Sequence, residues 1–433
     1  MSFHHCPLRV RPGRTSQAIL SRVVSGCLAA VLTAAAGAAG CRGGSSDDPR
    51  RTSEMPGDQE AEGAVVIQAA DAAGPNPPLW RLADSLSVGA LEGDLAFGRI
   101  ADVAPRAGGG MWVLDAQNQT VYGIDESGRL LFRIGGPGEG PGELGNPTGV
   151  FEVDDGRIAV TESYPPALHW FDSLGSYLET VYTSNPLSGE ASGSPPPLGQ
   201  WKVMPDGEAF VHLWSIPMPG GGPHVLHSLV RTSSEAGGSA VADTLLQWNV
   251  EAVSADPMAE VKLIQVHPQW AIGAGSTLWW TPGDSYELRA YASDGDLKRI
   301  VRVPGDGVRL DNALRSKIES YLLRLQGPGP GGSSVMAGLI ERASWPETLP
   351  LVAKLWVARP RGLVFAARYE EGLYDDPPSM RVDIFEPDGS YAGRLDLPGG
   401  FSPRRFAEGA VYGVASDELD VSYAVRYWLQ PPE

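Results

Sequence analysis

The sequence predicts an all-β fold, a six-bladed β-propeller whose blades are four antiparallel strands each. Three observations carry this reading: short apolar runs separated by Asp/Gly turns, a strand phrase that recurs along the chain, and a regular interval between corresponding strands. "GMWVLDA", "TVYGIDESG" and "RLLFRIGG" form the first phrase. It returns as "RIAVTES", "ALHWFDSLG" and "SYLETVYT", then as "STLWWTPG", "YELRAYASDG" and "LKRIVRVPG", and again as "GLVFAAR", "MRVDIFEPDG" and "YAGRLDLPG". Runs of about five residues between turn signals suit an antiparallel meander, and repetition on this scale is the mark of a propeller or solenoid.

The turn between the last two strands recurs as Asp125 to Gly128, Asp172 to Gly175, Asp294-Gly295 and Asp388-Gly389. Aspartate accepts a backbone hydrogen bond there and glycine takes the positive φ. Second strands are placed at Trp112, Ile158, Phe210, Leu278, Val364 and Val411. The intervals from Trp112 to Ile158 and from Val364 to Val411 match a four-stranded blade of roughly 40–50 residues. The middle intervals are longer and carry insertions. The third blade is degenerate, so five or seven blades remain alternatives.

The last blade, "RRFAEGAVYGVASDELDVSYAVRYWL", supplies only three strands. "PLWRLADSLSVG", Pro78 to Gly89, is strand-like and is expected to complete it. That would close the ring and cover an open edge.

The glycine-rich run "IGGPGEGPGELGNPTGV", Ile134 to Val150, lacks the lysine and hydroxyl of a phosphate loop and carries Glu139 and Glu143. It lies between an outer strand and the next inner strand, so it reads as a connector crossing one face. Pro137, Pro141 and Pro147 stiffen it.

One insertion is helical. "RLDNALRSKIESYLLRLQ", about residues 309–326, between blades four and five, repeats its apolar residues at helical spacing. Asp311 is the expected N-cap and Gly327-Pro328 the stop. The glycine-rich stretch after it reads as mobile. The helix is expected either to pack on the ring or to form a lid at the channel mouth.

The chain has 433 residues and a formal charge of −18. Arg9, Arg11, Arg14 and Arg22 precede residue 41 without any acid, so the remainder is more acidic still. This argues against nucleic acid as a partner. Residues 1–40 read as a signal peptide, with a basic start and the apolar run Val23 to Gly37. "AAGC", Ala38 to Cys41, resembles the lipobox of bacterial lipoproteins. That resemblance implies a lipid anchor on Cys41 and export to the cell envelope. Arg42 after the cysteine favours the outer membrane by the enterobacterial sorting rule. Cys27 in "VSGC" and an ordinary cleaved signal are the alternatives. Residues 41–77 read as a disordered tether and 78–433 as the propeller. No cysteine follows Cys41, which excludes disulfides and thiolate chemistry from the folded part.

"GPGEGPGELGNPTGV", between "VYGIDESGRLLFRIGG" and "GRIAVTE", resembles the bacterial six-bladed NHL-like β-propeller proteins. The resemblance implies a ring with a central channel and, in many members, an exported lipoprotein. Leu144 stands where an aromatic is more usual.

No HExxH, GxSxG or zinc-type cysteine pair is present, so no catalytic residue is assigned. "GDSY", Gly283 to Tyr286, falls on a hairpin. Asp115 and Glu162 end second strands at equivalent positions and are the candidate channel-mouth residues. The resemblance implies that some such rings place Ca²⁺ or Zn²⁺ there, but Pro282 and Arg368 stand at the matching points of blades four and five, so no full ligand ring is expected. Hairpin hydrogen bonding is the simpler role. His212, His224 and His227 are weak metal candidates, with unlinked surface histidines as the simpler reading. The expected function is a binding or scaffold module for a protein, peptide or glycan at the cell envelope. A metal-dependent hydrolase or lyase with its site in the channel is the alternative.

Overall fold

The computed structural model describes residues 63–433 apart from 139, 165, 184–197, 215–223, 235–238, 252–259, 326–331, 408, 418 and 420. The expected signal peptide, Cys41 and the tether up to residue 62 lie outside the described residues.

Among the described residues most of the regular structure is antiparallel β-sheet, in a propeller-like succession. Residues 100–135 form a four-stranded meander. A second group, 147–183, and a third, 198–251, are also meanders, and their outer strands Tyr177–Thr183 and Ser239–Glu251 pair in parallel. The fourth group covers 269–302 and the fifth 352–397. The last comprises Ser402–Ala407, Ala410–Ser416 and Ser422–Gln430. Trp112, Ile158, Phe210, Leu278, Val364 and Val411 each lie on the second strand of their group.

Each group packs on the next. Trp112 and Leu114 meet Val150 and Val160 of the second group. Trp170 meets Trp201 and Val211 of the third. Phe210 and Trp248 meet Leu278 and Trp280 of the fourth. Trp279 and Leu288 meet Leu355 and Val364 of the fifth. Phe365 meets Phe406 of the last group, and Tyr412 returns to Val103 and Met111 of the first. Adjacent residues of a strand face opposite sides, which is why Trp279 and Trp280 enter different clusters. Each fully buried side chain of this size contributes roughly 1.5–3 kcal/mol.

The strand Leu79–Val88 pairs antiparallel with Ser422–Gln430, from Arg81 opposite Gln430 to Val88 opposite Ala424. Its first residues also pair in parallel with Tyr391–Leu397. The strand Leu79–Val88 therefore supplies the fourth strand of the last group and covers its edge.

Two expectations are corrected. The tether does not extend to residue 77: Val65–Gln68 is a strand, paired in parallel with Leu297–Arg302. The β-branched run Val65-Val66-Ile67 favours this, and Ala69 and Ala72 are buried against the fourth and fifth groups. The insertion holds two helices, not one: α1, Asn312–Leu325, and α2, Gly332–Glu341. Gly332 and the serines beside it have low helix propensity, but Met336 and Leu339 bury one face of α2 with Leu314, Ile318, Tyr321 and Leu322 of α1. Asp311 Oδ1 accepts the Leu314 N–H at 2.9 Å, a side-chain N-cap. Lys317 anchors α1 to Glu371 and Asp375. Among the described residues no helix is long and apolar enough to cross a membrane.

Candidate functional site on the connector face

The second strands end on the face crossed by the outer-to-inner connectors, and Asp115 and Glu162 each stand at such an end. Asp115 is fully buried and accepts hydrogen bonds from Gly98 N at 2.7 Å, Arg99 N at 3.0 Å, Gln117 N at 3.0 Å and Asn118 Nδ2 at 2.8 Å. Gly98 and Arg99 lead into the inner strand Ile100–Pro105. Glu162 does the same work one group later: its Oε1 accepts Gly145 N at 2.6 Å and Asn146 N at 3.1 Å, just before Pro147–Glu152. Both carboxylates fix the point at which a connector turns into an inner strand. Burial pushes the Glu162 carboxyl up, but the His169 ring and these backbone donors outweigh it and hold the pKa below the usual value. His169 Nε2 lies 3.6 Å from Glu162 Oε2, an ion-pair distance rather than a hydrogen bond.

The connector itself is built around Leu144, which is fully buried. Leu144 N donates to Gly136 O at 2.8 Å, and Gly135 takes φ +82 with Leu144 Cδ1 at 2.6 Å from where a Cβ would sit. Leucine thus fills the place where an aromatic was the more usual residue.

The equivalent strand ends in the fourth and fifth groups are Thr281, opposite Gln269, and Arg368, opposite Val352. The register puts Thr281 rather than Pro282 at this point. Arg368 Nε donates to buried Asp383 at 2.6 Å and its Nη2 to Ala72 O at 2.8 Å. It ties the N-terminal segment to the ring.

Of the three candidate histidines, two meet. His212 Nε2 and His227 Nδ1 are 2.9 Å apart. They lie on neighbouring strands with Trp214 opposite His227 and His227 opposite Trp248. The rings form a row: Trp214 and His227 at 6.1 Å and 14°, His227 and Trp248 at 5.5 Å and 20°. Trp270 of the fourth group stands edge-on to His212, at 6.1 Å and 89°. Burial lowers both imidazole pKa values, and nearby His267 lowers them further; His227 is pushed down to about 3. The backbone of His224 pairs with Glu251, and its side chain lies outside the described residues. Among the described residues no group of three or more His, Cys, Asp or Glu is placed to hold a metal.

A cavity of about 1050 Å³ opens on the same face, between the fourth group and the segment leading to α1. Its walls include Asp284, Glu287, Arg302, Asp306, Arg309 and Glu347. Arg302 and Arg289 hold Glu287 at 2.8 and 2.6 Å, whereas Asp284, Asp306, Arg309 and Glu347 are exposed. Asp115 and Glu162 do not line it. Sequence reasoning missed this cavity because its walls come from strand ends, a hairpin and the helical insertion, which no single motif joins. The available signal was the departure of Val303 to Leu310 from the blade repeat.

No family model matches the chain, and no curated protein matches it. Similar solved structures include a member of the DUF4221 family from Bacteroides vulgatus, with TM-score 0.49, 14% identity, and 81% of this chain and 98% of that chain covered. A candidate exported protein of Bacteroides fragilis gives 0.45 and 10%, covering 86% and 100%. A gluconolactonase of Xanthomonas campestris gives 0.40 and 16%, covering 82% and 95%. At these scores the likenesses carry no inference about ligand or activity. The propeller-like arrangement rests on the sheet order itself.

Proposed function

We propose that this chain is an exported, lipid-anchored six-bladed β-propeller that binds a protein, peptide or glycan at the cell envelope through its connector face. The sheet groups are read as its blades, residues 65–433 as the propeller body and Cys41 as the anchor. The observation that supports binding is the cavity beside the helical insertion, with Asp284, Asp306, Arg309 and Glu347 at its walls. Concave sites with a few convergent polar groups are the usual place for a ligand. By contrast, Asp115 and Glu162 are engaged by backbone N–H groups, which suits scaffold roles.

The test is calorimetry of the purified protein against envelope glycan and peptide fractions, with the variant Asp284→Asn/Arg309→Ala/Glu347→Gln alongside. Binding by the native chain that the variant loses supports the reading. Equal binding by both removes the cavity from it. Metal analysis of the same sample tests the hydrolase or lyase alternative: a stoichiometric metal would favour the enzyme.

A further inference from the structure

The Trp–His row and the cavity are neighbours. Gly283 separates them: it precedes Asp284 of the cavity wall, and a Cβ on it would lie 3.0 Å from His267 O. Its φ of +92 and that contact hold the position to glycine. On one side stand Trp270 and, across the seam, Trp214, His212 and His227; on the other stand Asp284, Ser285 and Tyr286. Trp214, Trp270, His212 and His227 are all partly exposed.

The chemistry of this corner is specific. Trp214 and Trp270 offer apolar ring faces, amphipathic bodies suited to a ligand with one apolar side. Between them the two imidazoles share one hydrogen bond. Each is held neutral, so whichever ring donates, the pair has one further donor and one further acceptor nitrogen. A flat C–H face beside paired donor and acceptor groups describes a sugar ring. The adjoining cavity carries four carboxylates and two guanidiniums, so it disfavours an acidic sugar.

We propose that a neutral or amino-sugar oligosaccharide binds across Gly283, one ring stacked in the Trp214–Trp270 corner and the next hydrogen-bonded in the cavity. This rests on the binding reading above and names its ligand class.

The test is titration calorimetry of the full chain with chitohexaose, cellohexaose and maltohexaose, with a hexameric galacturonate as the acidic control. At least one neutral hexaose is expected to bind and the galacturonate to bind more weakly. Trp270→Ala and His227→Phe should each weaken binding about tenfold or more, the second keeping the stacked row while removing hydrogen bonds. Circular dichroism and melting check that both variants fold, and Asp306→Asn, at an exposed wall of the cavity, serves if either does not. Binding of no hexaose, or binding unchanged in all three variants, overturns the proposal. Should peptide fractions bind while no hexaose does, the glycan assignment fails and the binding module stands. If neither binds, both fail.

Discussion

Arg405 Nη2 lies 2.5 Å from Asp102 Oδ2, across 303 residues of sequence. The same nitrogen donates to Val150 O at 2.8 Å, while Asp102 Oδ2 accepts Val150 N at 3.1 Å. Three inner strands, from the last, first and second groups, are thus joined at one point. Burial pushes the Asp102 carboxyl up, but the Arg405 charge and hydrogen bond outweigh it and leave the pKa lowered. Removing one partner strands a buried charge. Arg405→Met should cost about 3–5 kcal/mol in urea unfolding, and Asp102→Asn/Arg405→Met should cost less than the two single changes together. Because the native carboxyl titrates below its unfolded value, this stability is present above about pH 4 and lost as pH falls further. Additive single losses would show that the pair is not coupled.

The closing strand Leu79–Val88 gives a second prediction. Deleting residues 78–89 removes the fourth strand of the last group and exposes the edge of Ser422–Gln430. Aggregation or a large drop in melting temperature is expected, since open edges recruit other strands. Deleting residues 42–61 should leave melting unchanged. Equal melting of the two truncations would count against ring closure.

Acid should loosen the seam between the third and fourth groups. His212, His227 and His267 are neutral in the fold because burial lowers their pKa values. The unfolded chain protonates them near pH 6.5, so stability is full above that value and falls as pH drops toward about 3. His227→Phe should flatten the fall between pH 6 and 4 in denaturant midpoints. A native protein with level midpoints over that range would refute the assignment.

The connector can be probed at Glu162. Glu162→Ala leaves Gly145 N and Asn146 N without their acceptor and should cost about 1–3 kcal/mol. Glu162→Gln keeps an acceptor oxygen and should lose less. Identical losses in urea titrations would show that the backbone donors find other partners.

Much of the ring was legible because blade periodicity is a local signal. Asp/Gly turns and alternating apolar residues lie a few positions apart, and the closing strand at Leu79–Val88 follows from one blade lacking a strand. The strand Val65–Gln68 was not legible: four residues carry little weight beside a polar stretch of twenty, and its partner lies more than two hundred positions away. α2 was hidden behind Gly and Ser, whose propensity loses to the burial of Met336 and Leu339. The site was legible only in fragments. Proximity of His212 and His227 follows from the pairing of consecutive strands, but Trp270 reaches His212 from the next group, and spacing within a motif is blind to that.

The strand Val65–Gln68 also sets a direction. It runs parallel to Leu297–Arg302, which starts at the Asp294 hairpin and ends beside the cavity, where Gln68 itself is part of the wall. The chain therefore enters the ring from the side opposite the connector face and climbs toward it. An anchor at Cys41, as proposed above, would reach the described chain on the side away from Trp270, Gly283 and the cavity.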